Sequence, residues 1–197
     1  IDGAAAAGLT LSGNNVTRVI DVRQTPSFAA VDFTIKNLII ANGKTTLTGE
    51  DGAGGGIKTA SSTKLTVDTV EFRNNVAGGE GGGAIFAGYR SNNTIINSTF
   101  DNNDGTPGNS ERGGGAIAVK SEGTTTVMSS IFTNNKGING GAINTLLGAL
   151  TVENSQFINN DSTPGAANQD TRGYGGAIYT DGASALTNDT IGGEITL

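Results

Sequence analysis

The sequence predicts an all-β fold, a single-stranded parallel β-helix solenoid of about six turns, and three observations carry that reading. Two motifs alternate along the chain. One is Gly-Gly-Ala-Ile or Gly-Gly-Gly-Ile, ending at Ile57, Ile85, Ile117, Ile143 and Ile178; the other is a phenylalanine followed by paired asparagines, starting at Phe72, Phe100, Phe132 and Phe157. Their spacing is asymmetric: counting Ile191 as the last Phe-type position, each isoleucine precedes the next one by 15, 15, 15, 14 and 13 residues. Counted from Ile40, the return to the next isoleucine takes 17, 13, 17, 11 and 21 residues. One half of the unit is held nearly constant while the other absorbs the length variation, as when a stacked repeat ejects its insertions at one fixed corner. The segments between the motifs, finally, are short, rich in β-branched residues and alternate with period two between Gly and Asn punctuation, a strand pattern rather than a 3.6-residue helical one.

Taken in order, residues 1–32 form an irregular first turn. Leu9, Leu11 and Val16, then Val19, Ile20 and Val22, read as two short strands, and residues 24–28, with Pro26, as a loop. Residues 33–197 are the regular coils of one single domain, 1–197. Five residues before each Phe-type position stand Ile35, Val67, Ile95, Val127, Val152 and Leu186, an apolar column expected to point inward. Six before stand Thr34, Thr66, Thr94, Thr126 and Thr151, expected to face solvent because neighbours along a strand point to opposite sides. Equivalent positions recur in the same chain direction, so the strands stack parallel, about 4.8 Å apart. At that spacing the columns Asn42, Asn74, Asn102, Asn134, Asn159 and Asn75, Asn103, Asn135, Asn160 can form amide ladders at a bend, where asparagine also tolerates a left-handed backbone.

Composition narrows the function classes. The 32 glycines among 197 residues, with only 3 prolines, are punctuation of the repeat rather than collagen or a linker. Cysteine and histidine are both absent, which removes disulfides, thiolate metal sites and imidazole chemistry. A net charge of −6 disfavours nucleic acid and anionic membranes as partners, and no apolar run approaches the roughly 18 residues a membrane span needs. The chain starts without a methionine or a signal peptide and begins and ends in repeat-like sequence. It reads as a piece of a longer solenoid, open at both ends, whose neighbours are further β-helix turns of the parent chain.

Repeated Gly-Gly-Ala-Ile paired with Phe-x-x-Asn resembles the repeats of chlamydial polymorphic membrane proteins and, more broadly, bacterial surface proteins with a right-handed parallel β-helix of the pectate-lyase type. The likeness covers roughly residues 33–191. It implies a right-handed coil, in line with the general handedness of parallel crossovers. It also implies a secreted or surface-displayed, extracellular solenoid used in adhesion, a passenger of a longer protein. The chain departs from that family in lacking cysteine and any membrane-translocating barrel.

Ionisable side chains concentrate on three insertions, residues 43–53, 104–113 and 161–174, which leave the same corner on alternate turns. They bring Glu50, Asp51, Asp104, Glu111, Arg112, Asp161, Asp170 and Arg172 to one edge. Three chemistries fit such an edge. A polysaccharide lyase or hydrolase needs a carboxylate pair or a calcium cage with a basic residue; a loop calcium site has Asp104 and Asp161 as its first ligands; solvated loops with local ion pairs need nothing more. No carboxylate recurs on adjacent strand positions as a strand-borne catalytic site requires, since four residues before the Phe-type position stand Lys36, Asp68, Ile96, Met128 and Glu153. Phe86 and Tyr179 follow the Gly-Gly-Ala-Ile isoleucines and are expected to point outward, where with Tyr89 and Tyr174 they could stack on sugar rings. A threonine array for ice binding wants a second outward column, and Asp32, Lys64, Asn92, Thr124 and Ala149 do not supply one. The sequons at Asn15, Asn92, Asn97 and Asn188 are expected by chance in a chain so rich in Asn and Thr. The reading is therefore a non-enzymatic structural or adhesive segment with no cofactor, unless it is calcium, whose partner is carbohydrate or a host or cell-surface protein. A polysaccharide-active β-helix is the alternative.

Overall fold

The computed structural model describes residues 1–24, 29–163, 173–181, 185–186, 189–190 and 194–196 of the chain. Two parallel sheets wrap one apolar interior. The long sheet begins with the unbroken strands Asp32–Ala41 and Lys64–Arg73; in later coils each divides into two, as in Asn92–Ile96 and Thr99–Asp101, Thr124–Met128 and Ile131–Thr133, and Ala149–Glu153 and Gln156–Ile158. The second sheet takes one strand from each Gly-Gly-x-Ile motif and one, Ile20–Val22, from the first turn. Its order is Ile178–Asp181, Ile143–Leu146, Ile117–Val119, Ile85–Ala87, Ile57–Thr59 and Ile20–Val22, so the described residues give it six coils. Among the described residues the one helical element is a 3-10 turn, Gly49–Gly52.

Register is like over like. Ile40, Phe72, Phe100, Phe132 and Phe157 pair successively. The four phenylalanine rings stack with centroids 4.8, 4.6 and 4.7 Å apart and planes within 3° of parallel. A rotation that small means the stack is almost untwisted, which free sheets rarely are and which side-chain ladders stabilise. Ile35, Val67, Ile95, Val127 and Val152 are buried as expected, whereas the side chain of Leu186 and all of Ile191 lie outside the described residues. The threonine column faces out in register, Thr34 over Thr66, Thr94, Thr126 and Thr151. Of the irregular first turn, Thr10–Ser12 and Ile20–Val22 are strands, but Val16 is not part of one: it sits in a turn, 77% exposed.

The paired asparagines divide their work. The first of each pair, Asn74, Asn102, Asn134 and Asn159, turns the chain with φ between 53° and 55°, as does Asn42, which Gly43 follows. The second, buried at Asn75, Asn103 and Asn135 and half-buried at Asn160, builds the ladder. Asn75 Nδ2 donates to Asn103 Oδ1 (3.0 Å), Asn103 Nδ2 to Asn135 Oδ1 (2.9 Å) and Asn135 Nδ2 to Asn160 Oδ1 (2.8 Å), and each amide also donates to a carbonyl on the preceding rung. A serine ladder runs parallel to it, unforeseen in the sequence. The N–H groups of Val70, Ser98 and Ser130 donate to Ser98, Ser130 and Ser155 Oγ at 3.1 to 3.2 Å.

Two further left-handed columns complete the bends. Asn37, Thr69, Asn97, Ser129 and Asn154 form one, and Ser62, Arg90, Glu122 and Leu147 the other. From isoleucine to this last column takes five residues at Ser62, Arg90 and Glu122 but four at Leu147, which is where the coil after Ile143 loses its one residue. Ahead of the second sheet the left-handed position falls to glycine, at Gly54, Gly82, Gly140 and Gly175. There a Cβ would strike the carbonyl three residues on, as at Gly82 against Ile85 O.

Candidate functional site

The residues one step after Ile20 and the five motif isoleucines form a column on the outer side of the second sheet: Asp21, Lys58, Phe86, Ala118, Asn144 and Tyr179, each paired with the next. Such a position alternates with the inward isoleucines and belongs to solvent. The insertions fold back over it instead. Phe86, expected at the surface, is 0% exposed and joins Ala53 and Ala118 in a small cluster separate from the main core. It is an anchor for the first insertion, not a free ring. Further along, Asn144 Nδ2 donates to Glu111 O of the second insertion (3.1 Å) and to Asn139 O (3.2 Å). Tyr179 is half-buried and stacks on Tyr174, ring centroids 6.1 Å apart, with Tyr174 49% exposed.

The first insertion is tied down by cations. Arg18 donates through Nε to Gly54 O (2.9 Å) and through Nη2 to Ala53 O (2.8 Å) and Asp51 O. Burial pushes its pKa down, with the Asp21 carboxylate opposing. Lys58 stands 3.7 Å from Asp51, and Glu50 is paired with Lys120, two coils away. On the second insertion Arg112 donates to both carboxylate oxygens of Glu80 at 3.1 Å. At the next bend Tyr89, Arg90 and Glu122 form one group: the Arg90 hydrogen bond (2.7 Å) and then Tyr89 hold Glu122 below the usual carboxylate range, and Glu122 in turn pushes the Tyr89 phenol up.

Asp104 and Asp161 do share one edge. The bridges Lys44 to Val76, Val76 to Asp104 and Asp104 to Lys136, with the pairing of Lys136 and Asp161, form a column in which Lys136 occupies the rung between the two carboxylates. Asp104 accepts from Thr106 N (2.8 Å) and Thr106 Oγ1 (2.6 Å). Among the described residues no three acidic side chains converge on a point where a metal would sit. Glu111 contributes its carbonyl rather than its carboxylate, and Asp170 and Arg172 lie outside the described residues.

Every strand pair of the two sheets is parallel and in register, and the family model for the right-handed beta helix region matches residues 2–191. The chain belongs to the right-handed β-helix family. No curated protein and no solved structure matches it. In this β-helix a cleft of about 560 Å³ lies beside the insertion edge, between the first insertion and the start of the second sheet, lined among others by Arg18, Asp21, Leu47, Glu50, Asp51 and Lys58. The sequence placed Glu50 and Asp51 at this edge but missed their partners. Lys58 and Asp21 were visible as the residues following Ile57 and Ile20, and Lys120 lies two beyond Ala118 on the same face. Nothing in the sequence marks Glu80 as the partner of Arg112. Asn15, Asn92 and Asn97 are exposed; Asn188 lies outside the described residues.

Proposed function

We propose that this β-helix is a non-enzymatic structural or adhesive segment of a larger bacterial surface protein, displayed outside the cell and continued by further coils of its parent chain. The observation that supports it is the coverage of the second sheet's outer column. An extended polymer lying along a β-helix needs a run of accessible rungs, and here Phe86, Ala118 and Asn144 are sealed under the chain's own insertions. The cations beside them are engaged within the protein, Lys58 with Asp51, Lys120 with Glu50 and Arg112 with Glu80. What remains accessible is the outer face of the long sheet and the insertion rims, surfaces suited to contact with carbohydrate or a cell-surface protein. Calcium is not part of this reading, because a lysine, Lys136, holds the rung between Asp104 and Asp161 and among the described residues no three acidic side chains gather at one point.

The second reading is a polysaccharide-active β-helix, favoured by the cleft beside Glu50 and Asp51 and by the exposed ring of Tyr174. Incubation with acidic and neutral polysaccharides, followed for new reducing ends and unsaturated uronates, separates the two. The structural reading expects neither product. Turnover that disappears in Glu50→Gln or Asp51→Asn would replace it with the second.

A further inference from the structure

The first insertion is built differently from the coil it leaves. None of residues 43–53 belongs to the main apolar core, and only Ala53 is buried against anything apolar, the Phe86 and Ala118 pair. Leu47 at its crest is 60% exposed. Gly49 holds φ +58° with open space where a side chain would be, and Gly54 closes the insertion at φ +65°. Residues 43–45 are still bonded to the coil, as Thr45 N is to Val76 O (3.1 Å), but residues 46–53 are held by a small set of polar contacts: Gly79 N to Gly52 O and Glu80 N to Gly49 O, both 3.0 Å, the Thr45 hydroxyl to Gly52 O, the Arg18 clamp, and the ion pairs of Glu50 with Lys120 and Asp51 with Lys58. Beside it lies the 560 Å³ cleft, into which it has room to move. Elements with few apolar contacts and partly exposed polar ties are drawn from the low-stability end of a fold and open before the core does.

We propose that residues 46–53 are an autoinhibitory strap that opens independently of the coil stack, latched at its tip by Glu50–Lys120 and at its base by Asp51–Lys58. Opening uncovers one patch on the second sheet. Phe86 lies one rung above Lys58, Ala118 one rung further, and Lys120 two residues along from Ala118 on the same face. An aromatic ring between two ammonium groups fits an acidic extended segment, and in the closed state the strap's Gly49-Glu50-Asp51-Gly52 occupies that place. This inference does not rest on the adhesive reading and goes beyond it.

The test is native-state hydrogen exchange on the whole chain. The reporters are the amides of Ala53, Gly79 and Glu80, which the closed strap protects, and the ladder amides of Asn75 and Asn103 serve as the coil reference. Lys120→Gln is expected to raise exchange at the strap amides about five-fold, the equivalent of an ion pair of about 1 kcal/mol, and to leave the ladder amides unchanged. Raising salt to about 0.5 M should do the same to the unaltered protein, and the double swap Glu50→Lys with Lys120→Glu should restore protection. The chain has no tryptophan, so Phe86→Trp gives an unobscured reporter, and its quenching by acrylamide should rise with Lys120→Gln. Strap and ladder amides exchanging at one common rate, or an indole signal from Phe86→Trp that is indifferent to the latch, would overturn the proposal.

Discussion

Removing one amide from the middle of the buried ladder tests what holds the coils in register. Asn103 is 0% exposed and joins three rungs. Its Oδ1 accepts from Asn75 N (3.2 Å) and Asn75 Nδ2 (3.0 Å), and its Nδ2 donates to Phe72 O (3.1 Å) and Asn135 Oδ1 (2.9 Å). Asn103→Ala leaves the Asn75 N–H without an acceptor and Phe72 O without this donor, in a place water does not reach, and halves the bonding of the Asn75 amide, which keeps Ile40 O. A buried polar group stripped of its partner costs about 1 to 3 kcal/mol, so three impaired groups should lower stability by about 4 kcal/mol, a large part of what a domain of this size has. The comparison is Asn102→Ala, next in sequence but exposed. It loses one amide bond to Asn74 (2.7 Å) and some ease in the left-handed bend at φ 53°, together worth about 1 kcal/mol. Urea unfolding followed by far-ultraviolet circular dichroism measures both, with the slope checked for lost cooperativity, since repeat stacks can unfold in parts. Equal losses in the two variants would refute the ladder argument. Asn103→Asp adds a pH arm. Its second oxygen meets two acceptors, Phe72 O and Asn135 Oδ1, so the folded state disfavours the ionised form and raises the carboxyl's pKa above its unfolded value. Stability is then retained at pH values below the unfolded pKa and lost as pH rises through the folded one, so the variant should lie closer to the parent protein at pH 3 than at pH 7.

Further outcomes follow from other columns. Phe100→Ala, emptying the middle of a ring stack with neighbours at 4.8 and 4.6 Å, should cost about 4 kcal/mol in the same urea assay. Leu147→Asn should gain about 0.5 kcal/mol, because Leu147 sits at φ 50° without glycine or asparagine chemistry to ease it; a loss larger than 1 kcal/mol would mean that its half-buried side chain matters more than its backbone. Asp2 is held down at about 2, first by the Asn37 amide, then by Ala4 N and Lys36. A depressed carboxyl stabilises above its unfolded pKa and loses that effect as pH falls through the folded one. Exchange at Gly3 and Lys36 amides, which tie the first residues to the coil, should therefore rise between pH 3.8 and 2 and be insensitive to pH in Asp2→Asn once the intrinsic rate is removed.

The columns were legible in the sequence because a solenoid turns a one-dimensional period directly into contact. Ile35 over Val67 over Ile95, and the rings at Phe72, Phe100, Phe132 and Phe157, needed only a parallel register to be placed. Two things were not legible. Which asparagine of a pair turns and which bridges depends on backbone angle, and both look alike as letters. The burial of Phe86 depends on the path of an insertion that has no repeat to constrain it: the strand rule put the ring outside the coil correctly, and the strap then covered it. The ion pairs failed for the same reason, since Glu50 and Lys120 are separated by 70 positions and only the reach of the strap across two coils joins them.

The placement of the insertions follows from the bends. From Ser62 to Thr69, Arg90 to Asn97, Glu122 to Ser129 and Leu147 to Asn154, each passage between left-handed columns takes seven residues, and from these to Asn74, Asn102, Asn134 and Asn159 it takes five. Along both passages most residues pair with a counterpart or carry a ladder, so an added residue would shift all that follow to the wrong face. Between the asparagine ladder and the next sheet the strand pairing among the described residues thins to a thread, the bridges Lys44 to Val76 to Asp104 to Lys136 and the two-residue pairing of Lys136–Gly137 with Asp161–Ser162. Extra length inserted after that thread breaks no column. It is also set beside the outer column of the second sheet, where Ala53 is buried against Phe86 and Ala118. The same corner therefore both tolerates the insertions and directs them over Phe86, Ala118 and Asn144, so that coverage of this face is a consequence of where the coil can accept length.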